Sequence, residues 1–269
     1  MANYPYISIV ICTFNRCEYL KKCLDSINFQ DYPKKFLEIA VLDDASTDGT
    51  KKEIPSYLQA LKEQGFNEVN YISNEERQGI AVGRWILGNK VSSKSEMALF
   101  VDDDAYLEKN CLVTLVEYML THSEVGVTGP RIVYAHNPGK TAHRANFVNS
   151  WTAQYSEKDS NVPMTCDWLF TICLLVRSSV LKETGGFYPG FYISHQEVDF
   201  CLRVKNKGYS VVYNPNAMVQ HHESENQQKR ERLYYLYRNK LIIIHRNFTL
   251  IKKIFAFLIL ILLGFPKYL

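Results

Sequence analysis

Leu99 to Leu107, LFVDDDAYL, sets three carboxylates directly behind an apolar run. Adjacent like charges repel, and carboxylates removed from water are costly unless something positive neutralises them. The preceding residues, EMALFV, read as a buried strand. Successive strand residues point to opposite sides, so Asp102 and Asp104 share one side and Asp103 faces elsewhere. Two carboxylates placed this way suit a hard divalent cation, Mg²⁺ or Mn²⁺, which takes one or two carboxylates together with substrate phosphates. The alternative reading of the triplet is an acidic loop capping a helix over 109–121.

Upstream of this strand, YISIVICTF and FLEIAVLDD are two more near-continuous apolar runs, and VNYIS is a shorter one. Helical patterns separate them. CEYLKKCLDSINFQ puts Tyr19, Leu20, Cys23, Leu24 and Ile27 on one face, followed by STDGTKKEIPSYLQALKEQ and GIAVGRWILGNKV. Strand and helix in alternation predict a parallel sheet with helices on both faces. Such sheets bind ligands beyond the carboxyl ends of their strands. Three polar clusters fall at those ends: Thr13-Phe14-Asn15-Arg16, Asp43-Asp44 and Asp102-Asp103-Asp104. An aspartate at 43 or 44 could accept hydrogen bonds from a nucleobase imide or a ribose hydroxyl, while Ser46, Thr47 or Asp48 caps the following helix.

Downstream the pattern is mixed. EVGVTGPRIVY reads as a strand, and residues 135–165 read as a long loop or small irregular subdomain. DWLFTICLLVRSSVLKETGGF reads as a strand and a short helix ending at Gly185-Gly186. The segment from Ser194 to Ser224 predicts a helix closed by Gly208, a strand, a turn at Asn214-Pro215 and a short strand ending at His221-His222. Glu197 lies near that helix's N-terminus, where the dipole favours a carboxylate and where it could act as a general base. Asp199 and Arg203 are spaced as a helix-face pair. One of the two histidines is a candidate metal ligand or phosphate contact.

The chain of 269 residues is 46% hydrophobic and 22% charged, ordinary for a globular protein. A formal net charge of +3 gives no argument for a nucleic-acid partner. Seven cysteines with no CxxC pair predict reduced, buried thiols of a cytoplasmic protein. MANYPYISIVICTFNR lacks a basic region followed by a long apolar one, so no signal peptide is expected. Near the other end, Ile254–Phe265 carries no charge and is flanked by Lys252, Lys253 and Lys267. As a helix it would span roughly 18 Å, short of the roughly 30 Å of a bilayer core. With the basic, tyrosine-rich segment before it, it predicts attachment to a membrane surface rather than a crossing. Packing on the domain or a dimer contact is the alternative.

VICTFNR, VLDDASTDGT, QGIAVGR, FVDDDAYL, LLVRSSVLKETGGF and EVDFCLRVKNKGY, ending at HHES, together resemble the family 2 glycosyltransferases, which have the GT-A fold. The resemblance runs from about Ser8 to about Arg238 and is nearest to transferases of the rhamnosyl- and galactofuranosyl-like kind. It implies an α/β fold with a mostly parallel central sheet, helices on both faces and a helical tail. It implies a domain over 1–225, with a nucleotide-sugar half over 1–128 and an acceptor half over 129–225, followed by a tail over 226–269. It implies a metal-dependent, inverting hexosyl- or deoxyhexosyltransferase of cell-envelope polysaccharide synthesis, at the cytoplasmic face of the membrane. The donor is a nucleotide-diphosphate sugar, and the acceptor is a hydroxyl of a glycan or lipid-linked glycan. Position by position, the family pattern assigns Thr13, Asn15 and Arg16 to the nucleotide pocket. It gives Asp44, assisted by Asp43, to the base or ribose, and turns Arg84 toward the nucleotide. Asp102 and Asp104 serve the metal, Asp103 reaches the ribose, Glu197 is the base and His221 a metal ligand.

The chain departs from that pattern at Gln196-Glu197, where the family has two acids, at Trp85, and at Thr171-Ile172 in place of a small pair. A catalytically silent sugar-nucleotide binding module is therefore a second reading. A nucleotidyltransferase is a third, weakened because TFNRCEYL lacks the glycine-rich triphosphate loop. A phospho-receiver domain would leave Glu197 to His221 unexplained.

Overall fold

A computed structural model describes residues 4–222 and 229–264. Glu223 and Ser224 of the HHES motif, residues 226–228 of the expected tail, Phe265 and Lys267 lie outside the described residues.

The first half is the alternation read above: β1 (Ile7–Thr13), α1 (Cys17–Asn28), β2 (Leu37–Asp43), α2 (Thr50–Glu63), β3 (Glu68–Ser73), α3 (Ile80–Asn89) and β4 (Met97–Asp102). These strands pair in the order 3-2-1-4, all parallel. β1 lies between β2 and β4, so the ends of all three reach one edge, with Thr13 opposite Asp43 and Cys12 opposite Asp102. Side chains alternate across the sheet: Ile7, Ile9 and Ile11 enter one core and Val10 the other.

The second half comprises β5 (Ala105–Leu107), α4 (Cys111–Thr121), β6 (Val125–Tyr134), β7 (Asn137–His143), β8 (Ala145–Val148), β9 (Tyr155–Lys158), β10 (Met164–Cys166), β11 (Cys173–Arg177), α5 (Ser178–Thr184), α6 (Gln196–Asn206), β12 (Ser210–His221), α7 (Lys229–Asn247) and α8 (Leu250–Gly264). The parallel expectation holds through β4 and then gives way. β11 inserts antiparallel between β4 and β6, and β6 pairs in parallel with β12. An apolar run of five residues fixes burial but not direction, which explains the difference.

Of the two readings of residues 135–165, a long loop or a small irregular subdomain, the loop does not hold: they contain β7, the β8–β9 ladder and the start of β10. One further expectation is corrected. Asn214-Pro215 is no turn between two strands: β12 runs through it, with an irregularity between Asn214 and Met218. The extra residues are absorbed as a bulge.

One core packs α1, α2 and α4 on one face of the sheet. The other packs α3, α5 and α6 and also takes Ile243 and Ile244 of α7 and Ala256 of α8. The helices after residue 228 thus share the domain's core. All seven cysteines are free.

Candidate active site

The turn after β1 is made by Asn15, whose φ of +53° lies in the left-handed region that asparagine tolerates. Its Oδ1 accepts the Thr47 amide at 2.7 Å, and its own amide donates to Ser46 Oγ at 2.9 Å, clipping the loops after β1 and β2 together. Asp48 Oδ2 accepts the Cys17 amide at 3.2 Å, satisfying a free N–H at the start of α1.

The acidic triplet is held by cations on each side. Arg84 of α3 is buried and donates to Asp102 Oδ1. Arg16 donates through Nη1 to Asp103 Oδ1 at 3.1 Å and to Asp104 Oδ2 at 2.5 Å. Thr13 Oγ1 donates to Asp103 Oδ2 at 2.7 Å. Asp104 Oδ1 faces His221 Nε2 at 3.3 Å. Burial and the neighbouring aspartates push Asp103 up to about 7, against Arg16 and Thr13. Burial also acts to raise Asp104, but His221 and Arg16 outweigh it and hold the carboxyl below its ordinary value.

Asp102, Asp104 and His221 offer ligand atoms that all lie within 4.8 Å of one another. Two carboxylate oxygens and one imidazole nitrogen at this spacing fit Mg²⁺ or Mn²⁺ with positions left for other oxygens. His222 takes no part. Its ring packs on Tyr19 at 4.8 Å, and its amide donates to the Asp104 carbonyl at 3.0 Å.

These groups open onto a cleft of about 730 Å³ that contains Thr13, Arg16, Asp44, Arg84, all three aspartates of the triplet, Glu197 and His221 in its lining. That volume suits a ligand of nucleotide-sugar size. Asn15 and Asp43 are absent from the lining. Asp43 is fully buried, accepting Ser46 N–H at 2.9 Å and Tyr71 O–H at 2.6 Å. Asp44 reaches the cleft, yet it also accepts Asn74 Nδ2, Gln78 N and Gly79 N at 2.8–2.9 Å. Thr171 and Ile172 line the cleft, whereas Trp85 is half exposed outside it.

Glu197 stands in the first turn of α6 and is 6% exposed. Burial raises its carboxyl above the ordinary value, against the backbone N–H groups at the helix start and Arg84. Beside it Gln196 is buried, and its Oε1 has no hydrogen-bond partner among the described residues. Asp199 makes the expected pair with Arg203 at 2.9 Å and a second with Arg246 of α7 at 2.9 Å.

The approach to α6 is strained. Tyr192 has φ 63° and ψ −64°, and Ile193 N–H donates to the Phe191 carbonyl at 2.8 Å, which makes a γ-turn of the rare kind. Ser194 and His195 follow at φ 62° and 66°. Each such conformation costs about 1–3 kcal/mol and persists only where the surroundings impose it. The Tyr192 carbonyl accepts the Ala81 amide at 3.1 Å, and a Cβ at Gly79 would lie 2.5 Å from the Tyr192 ring. Glycine is therefore required at 79, where φ is also +90°.

Several lining residues were not singled out in the sequence. Arg77 stacks over the Phe14 ring at 4.0 Å, forming a flat cationic platform. Tyr192 stacks on Tyr235 of α7 at 5.0 Å, and both line the cleft with His143 and Phe170. Phe14 sits inside a noted cluster, but nothing local marks Arg77 or Tyr235.

Comparison with known proteins follows the same outline. The model of the family described as glycosyl transferase family 2 matches residues 8–185. The chain is 25% identical over 268 residues to "Glycosyltransferase AglE" of Haloferax volcanii, covering 99% of this chain and 83% of that one. It is 24% identical to the "Dolichyl N-acetyl-alpha-D-glucosaminyl phosphate 3-beta-D-2,3-diacetamido-2,3-dideoxy-beta-D-glucuronosyltransferase" of Methanococcus voltae, over 83% of this chain and 69% of that one. Among solved structures, the mannosyltransferase PcManGT from Pyrobaculum calidifontis, in complex with GDP-Man and Mn²⁺, superposes with a TM-score of 0.68 at 19% identity. That likeness covers 97% of this chain and 71% of the other and shows the shared fold.

Proposed function

This chain belongs to glycosyl transferase family 2, and from that premise we propose that it moves a sugar from a nucleotide-diphosphate donor to a hydroxyl of a glycan or lipid-linked glycan, with inversion. The observation that carries this reading is the meeting of Asp102, Asp104 and His221 within 4.8 Å on a cleft that Glu197 also lines. The named relative that acts on a dolichyl phosphate-linked sugar supports a lipid-linked acceptor.

Asp102, Asp104 and His221 would hold Mg²⁺ or Mn²⁺. When bound, the ion neutralises negative charge building on the departing diphosphate. Thr13, Arg16, Asp44 and Arg84 form the nucleotide side of the pocket, with Phe14 and Arg77 supplying a stacking surface. Asp103, tied to Thr13 and Arg16, would meet a ribose hydroxyl, while Asn15 and Asp43 brace the loops behind it. Glu197 takes the proton of the acceptor hydroxyl as its oxygen attacks the anomeric carbon and the bond to the diphosphate breaks. A carboxyl raised by burial suits this role, because proton affinity closer to neutrality improves a general base. Gln196, whose amide oxygen has no partner among the described residues, stands in the same wall and is available to a sugar hydroxyl.

Among the described residues no helix is long and apolar enough to cross a membrane. α8 nonetheless exposes Ile251, Ile254, Phe255, Leu258, Ile261 and Leu262, and the 251-254-258-261 spacing makes one stripe. Lys252 and Trp151 flank it, with Phe255 packed edge-on to Trp151 at 5.5 Å. This stripe supports attachment to a membrane surface, where a lipid-linked acceptor would reside.

Screening UDP-, dTDP- and GDP-sugars for Mn²⁺-dependent binding and nucleotide release tests the assignment. At least one donor should bind and turn over only with the metal. Binding without release under any acceptor supplied would favour the silent binding module. Equal sedimentation of wild type and Leu258→Glu with anionic vesicles would remove the membrane surface from this account.

A further inference from the structure

The segment that carries the chain into α6 is strained, and α7 is what holds it. Asn239 is fully buried, and its Nδ2 donates to the carbonyls of Ile193 at 2.6 Å and Ser194 at 2.8 Å, with a longer contact to Phe191 at 3.2 Å. Two N–H bonds thereby serve three carbonyls of one γ-turn and its exit. Arg238, next on the helix, donates to the Gly190 carbonyl. Tyr235, one turn back, stacks on the Tyr192 ring. Farther along, Arg246 and Asn247 both donate to Asp199 Oδ1 at 2.9 Å, inside α6 itself. A single helix thus grips the strained segment and the helix that bears Glu197.

The Asn239 side chain is not there for burial. Its own Oδ1 has no hydrogen-bond partner among the described residues, and a buried acceptor left unpaired is destabilising. An apolar residue of the same shape would avoid that cost and lose only the amide donor. What the amide nitrogen supplies is the conformation of residues 191–194, which backbone preferences disfavour. That segment touches both sides of the cleft: Tyr192 packs on Gly79, whose amide holds Asp44, and the chain reaches Glu197 two residues beyond the left-handed His195.

We propose that Asn239 is a positioning residue for transfer, fixing the strained segment Tyr192–His195 so that Glu197 faces the acceptor hydroxyl beside the bound donor. The inference rests on the reading of Glu197 as the base. It makes α7 part of the catalytic apparatus rather than a tail, because the base is aligned only while the helix is docked.

The test compares full-length wild type, Asn239→Leu, Arg238→Met and Ile244→Ala. The last removes core packing from the same helix and leaves the Asn239 amide to make its bonds to the segment. Nucleotide release from UDP- and GDP-sugars with Mn²⁺ gives kcat and KM, and hydrogen exchange reports on the amides of residues 191–198. We expect Asn239→Leu to lower kcat about 100-fold, the scale of a small misplacement of a reacting group, with donor KM unchanged. Protection at 191–198 should fall while β1 and β4 keep theirs. Arg238→Met should show a smaller loss of the same kind. Ile244→Ala should melt earlier yet keep kcat. The proposal is overturned if Asn239→Leu keeps wild-type protection at 191–198, or if its kcat falls no further than that of Ile244→Ala at equal loss of Tm. A wild type that releases nucleotide from no donor defeats the transferase reading instead, and the exchange measurement still decides whether Asn239 holds the segment.

Discussion

Two acidic clusters end the strands on either side of β1, at the same edge of the sheet, and they are put to opposite uses. Asp43 and Asp44 are surrounded by neutral donors: Ser46 N–H and Tyr71 O–H for the first, and Asn74, Gln78 N–H and Gly79 N–H for the second. Their oxygens are spent on tying the loop after β2 to β3 and to the loop that follows it, with Asp44 alone also reaching the cleft. Asp102, Asp103 and Asp104 are instead gripped by Arg16, Arg84 and Thr13, and Asp102 and Asp104 converge with His221. Arginine limits the repulsion of each carboxylate from the next; both oxygens of Asp103 are engaged, by Arg16 and Thr13, but Arg84 takes only Oδ1 of Asp102 and Arg16 only Oδ2 of Asp104. The lesson is that carboxylates at a strand end do not announce a ligand. What matters is whether their partners consume every oxygen.

The contrast can be broken most directly at Asp104. Asp104→Ala should abolish Mn²⁺-dependent nucleotide binding measured by calorimetry, and retained binding would place the ion elsewhere. Glu197→Gln should bind donor as wild type does and lose turnover by about 10²–10⁴-fold, the range of a general base; full transfer by this variant would reject the assignment.

The same glutamate makes a pH prediction. Its folded value lies above the ordinary one because burial disfavours the charge. Between those two values the native state keeps a proton that the unfolded chain has released, so stability falls as pH rises through the window. Wild type should therefore melt below Glu197→Gln above the window, with the gap closing below about pH 4. Turnover should rise across the same window as the base form appears.

The smallest effect belongs to the other cluster. Tyr71→Phe removes one hydrogen bond to Asp43, worth about 1 kcal/mol, and should lower Tm by about 2–4 °C in a chain of this size. Donor affinity should stay put. A loss of affinity instead would show that the Asp43 side of the edge contacts the nucleotide after all.

The parallel half of the molecule was legible because it is written in local pattern. Apolar runs of six or seven residues, helical faces such as Leu20, Cys23, Leu24 and Ile27, and polar clusters between them leave few topologies. Asp102, Asp104 and His221 follow from strand alternation plus the family pattern. The rest depends on contacts distant in sequence. Nothing in CLLVR states that it runs antiparallel between β4 and β6. Asn15 and Asp43 sit in the right motifs, but only the fold shows that they brace loops. YYLYRNKLIIIHRNF reads as a surface segment, yet its Asn239, Ile243 and Ile244 are buried against the domain. The Tyr192–His195 conformation is imposed by α7 and by Gly79, so no propensity within those four residues could have revealed it.

β11 has a consequence for how the protein is made. On the ribosome, β4 emerges with β1 already available on one side, but its other partner begins only at Cys173. Throughout synthesis of residues 103–172 the apolar run Met97–Val101 is therefore an unpaired strand edge beside a nascent cleft, the kind of edge that invites pairing with another chain. Chaperone capture in that interval, and aggregation of truncated chains that stop short of residue 177, should be the characteristic failure in recombinant expression.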